Sequence, residues 1–345
     1  MKNIFYIAIL YMRRILLFIL IGVVCYTTRA QDVLPSFGSS RTGGSGMQFL
    51  KIAPDARSTA MGGAVIGLVN DVSALYWNPA GITGLDTGKV SIMASHTRYF
   101  ANNTVNFAGV VFKPGKLSYV GVSVMSLNFA DMEETTELQP FGTGRKVNVN
   151  NTLIGLTYAK ILTQSFSFGM TGKWAHESFS DVQTNDVLFD LGLKYNIGLM
   201  GSRFGVSFSN FGMNVSPEGD VSVLKLSGNQ KISNYSEVSA PAAFRVGVAF
   251  DPINKGMHKL TLAGQLNHPT DNNETFSTGA EYSLKKLLLV RTGWEFGADE
   301  GYNFPPIGMG IKLPYSKYLL SFDYSMVSKQ RLGNLNRITL ALTIR

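Results

Sequence analysis

Four histidines, His96, His176, His258 and His268, are the side chains best suited to move protons near neutral pH, and the sequence scatters them singly. Only His176 has an acidic neighbour, Glu177. Acid–base or nucleophilic chemistry needs a base within hydrogen-bond reach of its target and a third group to orient it. The His176–Glu177 pair reads instead as ordinary polar residues at a strand end. No His, Asp and Glu set has metal-ligand spacing, and the single cysteine, Cys25, falls in a segment argued below to be removed. No G-x-S-x-G elbow, Walker loop or dinucleotide glycine fingerprint occurs; Gly43-Gly44 and Gly62-Gly63 are loop or inner-segment glycines. These residues point to a protein that is not an enzyme and carries no metal or cofactor.

The remaining charges that invite a role lie within an apolar–polar alternation: Lys173, Asp190, Lys194, Arg245, Glu281, Arg291, Glu295, Lys312 and Asp323. Successive side chains on a strand face opposite sides, so these nine share the polar face of their strands. With both signs present, they can form a charge network in a water-filled lumen.

The elements that must carry them are strands. Tyr318, Leu320, Phe322, Tyr324 and Met326 alternate with Leu319, Ser321, Asp323 and Ser325, and Ile338 to Ile344 alternates in the same way. About fourteen such segments follow one another, at approximately 89–100, 103–113, 117–129, 147–162, 165–179, 186–199, 203–212, 242–251, 258–268, 275–284, 287–297, 305–313, 317–327 and 337–345. Each is close to the roughly 9 to 11 residues with which a tilted strand crosses a bilayer. The connections alternate between tight turns, such as Lys113–Lys116 and Thr163–Gln164, and longer links, of which Ala130–Lys146 and Met213–Pro241 are the longest. The link at Ala101–Asn102 is the exception. Short turns at one end and long loops at the other are the pattern of outer-membrane barrels. A soluble sandwich would show the same alternation with its oily side inward, so the pattern discriminates only together with loop lengths and a leader. Aromatic residues near strand ends, among them Tyr99, Tyr119, Trp174, Tyr282 and Tyr318, suit either an interfacial girdle or the lipid-facing wall.

The composition agrees. The 345 residues include 36 glycines, 22 phenylalanines and 14 tyrosines against 16% charged residues, a balance that favours strands and turns over helices. From Met12 the chain reads Met-Arg-Arg, ten apolar residues from Ile15 to Val24, and small residues at Thr28 and Ala30, a secretory leader over residues 1–30 with Met12 as the cleaner start. The ten-residue run is too short for a helical anchor, which needs roughly 20. Removing Lys2, Arg13, Arg14 and Arg29 lowers the formal charge from +8 to +4, 27 basic against 23 acidic residues. With no basic stripe, nucleic-acid binding is not expected.

Residues 31–88 do not alternate. They open on a Gly/Ser stretch, Ser36 to Gly46, and continue through Phe49 to Ile52, Asp55-Ala56-Arg57, Ala60-Met61-Gly62-Gly63 and Leu75-Tyr76-Trp77-Asn78-Pro79-Ala80-Gly81. Asn70 or Asp71 can cap a short helix that Pro79 stops. In this ordered set the chain resembles the FadL-like outer-membrane proteins, and within them the PorV/PorQ group associated with type IX secretion. The resemblance implies an all-β fold, a transmembrane antiparallel barrel of about 14 strands over residues 89–345, with residues 31–88 folded inside it as a hatch. It also implies that Asn78 to Gly81 pack against the inner wall, with Tyr76, Trp77, Asn78, Pro79, Ala80 and Gly81 as the hatch motif. One departure is the end, Thr343-Ile344-Arg345, where such barrels commonly finish on an aromatic residue.

Two functions share this fold. Like the PorV group, the barrel would dock secreted cargo proteins or secretion machinery at the outer face through its two longest loops. Alternatively, as in the FadL-like transporters, it would pass a hydrophobic small ligand with the hatch gating an inner pocket. Outer-membrane lipid is the partner under both.

Overall fold

Alternation this regular leaves each segment one oily and one polar side, and a membrane lets such strands persist only if every backbone N–H and C=O pairs with a neighbour. The computed structural model meets that demand with a closed ring of fourteen strands. It describes residues 45–85, 88–130, 132–135, 139–225, 228–298, 301–331 and 333–344. The expected leader, most of the Ser36–Gly46 stretch and the terminal Arg345 lie outside them. The strands are β1 (Val90–Arg98), β2 (Thr104–Phe112), β3 (Ser118–Asn128), β4 (Val149–Ile161), β5 (Phe166–Phe179), β6 (Val182–Asn196) and β7 (Arg203–Phe211). They continue as β8 (Ala243–Lys255), β9 (His258–Pro269), β10 (Thr275–Leu284), β11 (Leu288–Phe296), β12 (Ile307–Tyr315), β13 (Tyr318–Lys329) and β14 (Gly333–Ile344). Each pairs antiparallel with the next. The ring closes where β14 pairs with β1, Ile344 opposite Val90 and Asn336 opposite Arg98.

The direction of the oily face decides between the membrane barrel and the soluble sandwich. Ile92, Val122, Leu156, Phe189, Met309 and Leu340 point outward and are exposed, while the alternating Ser91, Ser123, Thr157 and Asp190 point inward and are buried. An apolar exterior around a polar interior is the membrane arrangement. Tyr119 fits neither the girdle nor the lipid-facing wall, because its position on β3 turns it inward, where it is fully buried.

Three strand ends run four residues further than the alternation predicts. β6 begins at Val182 rather than near residue 186, and Ser180 takes a positive φ in the tight turn before it. β14 begins at Gly333 rather than 337. β8 runs to Lys255 past a bulge between Phe250 and Ile253 that shifts its register. The first two extensions carry polar side chains on their outward positions, such as Gln183 and Asn185, so no oily face marks them. The link 180–181 is therefore a tight turn, although it lies at the end that bears the long loops. The longest link, 212–242, contains its own hairpin, Val221–Lys225 paired with Gly228–Ile232.

Inside the ring, residues 45–85 form short turns of helix and 3-10 helix: Gln48–Lys51, Ala56–Ala60, Ala74–Trp77 and Pro79–Gly84. Asp55 caps Ala56–Ala60 by accepting from Ser58 N (2.8 Å). Asp71 does not cap the helix at Ala74. Its carboxylate accepts from Ser73 N (2.9 Å) and from Ser73 Oγ and so shapes the preceding turn, while Ser73 holds the cap position without a side-chain bond to the helix. The segment starts at the loop end, where Ser45 bridges to Ser239. It finishes at the turn end, where Lys89 N donates to Ile344 O (2.9 Å).

Candidate ligand-binding site

Small residues on both surfaces let the inner segment meet the wall backbone to backbone. A Cβ on Gly192 of β6 would overlap the Asn78 carboxamide oxygen, and one on Gly169 of β5 would overlap the Pro79 carbonyl carbon. Asn78 fixes this contact. Its Nδ2 donates to Leu193 O (3.1 Å) and Ile66 O (3.3 Å), and its Oδ1 accepts from Ala80 N (3.1 Å). Ala80 and Gly81 are buried behind it, and a Cβ on Gly81 would overlap Ala74 and Val69. Tyr76 OH donates to Leu50 O (3.0 Å), and Trp77 Nε1 donates to Asp55 (2.8 Å). Asp55 thus joins two sequence motifs that lie 22 residues apart. On the opposite flank, Gln265 of β9 accepts from Val65 N and Ile66 N, each at 3.0 Å, and Thr59 Oγ1 meets Ser325 Oγ of β13 at 3.0 Å.

The nine charges expected to share a lumen network divide into separate clusters. Glu281 of β10, Arg291 of β11 and Asp323 of β13 join across the bare Gly310 of β12, Arg291 binding both acids, with Arg291 Nε 2.7 Å from Glu281. Lys312, half-buried on β12, lies on the same wall. Lys173 and Asp190 pair at 2.6 Å and share Asn210, which accepts from Lys173 (2.9 Å) and donates its backbone N–H to Asp190 (2.8 Å). Arg245 donates to Ser209 Oγ (2.7 Å) and stands 5.7 Å from the centre of the Trp77 ring. Lys194 donates to Val69 O (2.9 Å), a backbone group of the inner segment. Glu295 sits apart, 3.9 Å from Lys329. Buried charges need partners, and two of these came from residues outside the alternating region. Arg57 bonds Glu281 through Nε (2.9 Å) and Asp71 through Nη1 (3.0 Å). Their signal in the sequence is charge inside an otherwise small and apolar segment.

Above these contacts, at the loop end, the wall and the inner segment part to leave a cavity of about 540 Å³. That is within the range of roughly 300 to 1,000 Å³ usual for small-molecule sites. Trp77, Phe49 and Ile52 of the inner segment face Tyr99, Leu127 and Phe129 from the strand ends and links. Of the sequence-expected site residues only Trp77 and Glu295 line it; Tyr76 and Asn78 to Gly81 serve to seat the inner segment. Tyr302, in the link between β11 and β12, also lines the cavity and donates to Glu295 (3.4 Å). Burial first, and then the neighbouring Glu295 carboxylate, raise its hydroxyl well above the ordinary value, so it remains a donor. At the same end, Asp271 in the link between β9 and β10 accepts from Gln48 Nε2 (2.9 Å) and pairs with Lys51 (2.7 Å). Burial pushes that carboxyl up, but the hydrogen bonds from Gln48, Lys51 and Ser45 outweigh it and hold the carboxyl below its ordinary value. Among the described residues no group of His, Cys, Asp and Glu converges to hold a metal ion.

No protein-family model matches the sequence, and no curated protein matches it either. Among solved structures the chain is similar to the Ralstonia pickettii toluene transporter TbuX, at 11% identity over 86% of this chain and 100% of that one, with a TM-score of 0.58. It is similar to the monoaromatic hydrocarbon channel CymD, at 14% identity over 84% and 96% of the two chains, with a TM-score of 0.56. A Pseudomonas aeruginosa FadL homologue matches at 11% identity over 84% and 98%, with a TM-score of 0.54. At these identities the likeness is one of architecture, and the chain has the fold of the FadL-like barrels.

Proposed function

We propose that this protein resides in the bacterial outer membrane, exported with its leader removed, and takes up small apolar molecules from the outer side. The observation that carries this reading is the aromatic and aliphatic cavity at the loop end, seated on the inner segment. The oily exterior supports the location, and the channels that share the architecture are described as carrying toluene and other monoaromatic hydrocarbons. The inner segment then acts as the hatch that a ligand must pass. The secretion role rests on the PorV/PorQ resemblance of the Asp55-Ala56-Arg57 and Leu75 to Pro79 stretches, with the links Ala130–Lys146 and Met213–Pro241 as its contact surfaces, and the comparisons add nothing to it.

Binding of 2-naphthamide, a neutral aromatic probe, to the purified barrel in detergent tests the reading. Saturable binding above that of empty micelles is expected. Ala53→Trp, which puts an indole into the cavity, should abolish it with the barrel still folded by circular dichroism. Binding that Ala53→Trp leaves intact would place the ligand elsewhere. In a deletion strain, impaired uptake of aromatic hydrocarbons with normal protein secretion is the matching result; secreted proteins retained in the periplasm would favour the docking role.

A further inference from the structure

The cavity is not neutral. Lys51, Lys329 and Arg337 among its lining residues face two acids, Glu177 and Glu295. Four of these five charges have counterparts in the protein. Lys51 pairs with Asp271 at 2.7 Å and Lys329 with Glu295 at 3.9 Å, while Glu177 accepts from Met47 N at 2.9 Å and from Asn151 at 3.4 Å. Arg337 of β14 is different. It is only 4% exposed, and among the described residues its one hydrogen bond runs from Nε to Ala53 O (3.2 Å). Among the described residues no carboxylate stands within ion-pair distance of it. Asp55 attracts it from further away, but the Asp55 oxygens are already taken by Ser58 and Trp77. A guanidinium offers five N–H donors, so most of this one's capacity is unused. Neither Nη atom is among the sealed polar atoms that lack a partner, so both retain contact with open volume, and the volume that Arg337 lines is the cavity.

A buried cation without a counter-ion is costly, and an uncharged ligand that displaced the surrounding water would raise that cost. A carboxylate would lower it, because guanidinium and carboxylate match as a two-bond, charge-assisted pair. The rest of the lining sets the body of the ligand. Phe49, Trp77, Tyr99, Phe100, Phe129 and Tyr302 supply six aromatic rings around the space, and rings pack well against rings in offset or edge-on arrangements.

We propose that the cavity selects organic monoanions, an aromatic body bearing one carboxylate, with the acid on Arg337 and the ring system against Trp77 and its aromatic neighbours. This rests on the reading that the cavity binds small apolar molecules, and it narrows that reading from hydrocarbons to aromatic acids. Arg337 is then the residue that determines specificity, and it sits on the last strand of the barrel.

The test compares 2-naphthoate with 2-naphthamide, which match in size and differ in charge, by calorimetry on the full mature chain in detergent with empty micelles as the blank. In the wild type the naphthoate should bind at least about tenfold more tightly, a difference of roughly 1.4 kcal/mol. In Arg337→Gln the ratio of the two affinities should fall toward one. Arg337→Lys keeps the charge and loses the two-bond geometry, so it should give an intermediate ratio. Equal wild-type affinities, or a preference that survives in Arg337→Gln, would overturn the proposal while leaving an apolar binding cavity in place. Failure of both probes to bind would overturn the cavity reading and this proposal together. Should Arg337→Gln not assemble, the wild-type ratio and Arg337→Lys still decide the matter.

Discussion

The inner segment meets the barrel in two ways along its length. In the turn-end half it is pressed against the wall, with Gly169, Gly192 and Gly205 bare so that Pro79, Asn78 and Ile66 can approach. The Arg57–Glu281–Arg291 cluster pins the opposite flank. In the loop-end half the same segment is held by a few polar tethers, Gln48 and Lys51 to Asp271 and Met47 to Glu177, and between them the cavity opens. Close contact places the barrier, and its absence places the ligand. Substitutions in the first half should therefore cost stability, and those in the second should cost binding.

The largest effect is expected from Glu281→Ala, which leaves the Arg57 and Arg291 guanidinium groups close together and removes the carboxylate they share. Breaking a buried pair costs about 3 to 5 kcal/mol, read as a lowered midpoint of chemical unfolding in detergent. A midpoint within error of the wild type would show that the cluster does not hold the segment. Next comes Gly192→Ala, whose added methyl group collides with Asn78. Overpacking of this kind costs about 1 to 3 kcal/mol, and it should expose the inner segment to protease. Asn78→Ala should cost about the same, since Leu193 O and Ala80 N lose a partner in a buried setting. In the loop-end half, Ala53→Trp should abolish 2-naphthamide binding and leave the unfolding midpoint close to the wild-type value, which separates the two halves most cleanly.

The smallest effect concerns pH. The Asp271 carboxyl is held below its ordinary value of 3.8 in the folded protein, so its contribution is fully present above that value and is lost as pH falls through the lower folded one. The stability difference between wild type and Asp271→Asn should therefore be constant from neutral pH down to about pH 5 and vanish in stronger acid. A difference that grew on acidification would reverse the assignment.

How much of this was legible follows from where the physics is local. The barrel strands could be read because a two-residue period repeats in every membrane-crossing segment. Their extensions at Val182 and Gly333 could not, because outside the oily band both faces are polar and the period leaves no trace. The inward charges Glu281, Arg291 and Asp323 were readable as a set, yet their division into clusters was not, since partners such as Arg57 and Glu281 stand 224 positions apart. Asn78 and Pro79 could be singled out as a motif. That they act by packing against Gly192 and Gly169 depends on the curvature that brings β5 and β6 round to them. Arg337 left no signal of its own, because an inward arginine on a strand looks the same whether or not an acid awaits it.

The central claim is that residues 45–85 are seated inside the barrel, fixed to its wall beneath the cavity. Thr59 and Ser325 offer the most direct test, since their hydroxyl oxygens lie 3.0 Å apart on the inner segment and on β13, and Cys25, the chain's one cysteine, falls in the expected leader. In the mature chain carrying Thr59→Cys and Ser325→Cys, mild oxidation should form a disulfide in nearly every molecule, seen by mass spectrometry and by altered mobility without reductant. Two thiols that stay free and react with a maleimide would contradict the claim.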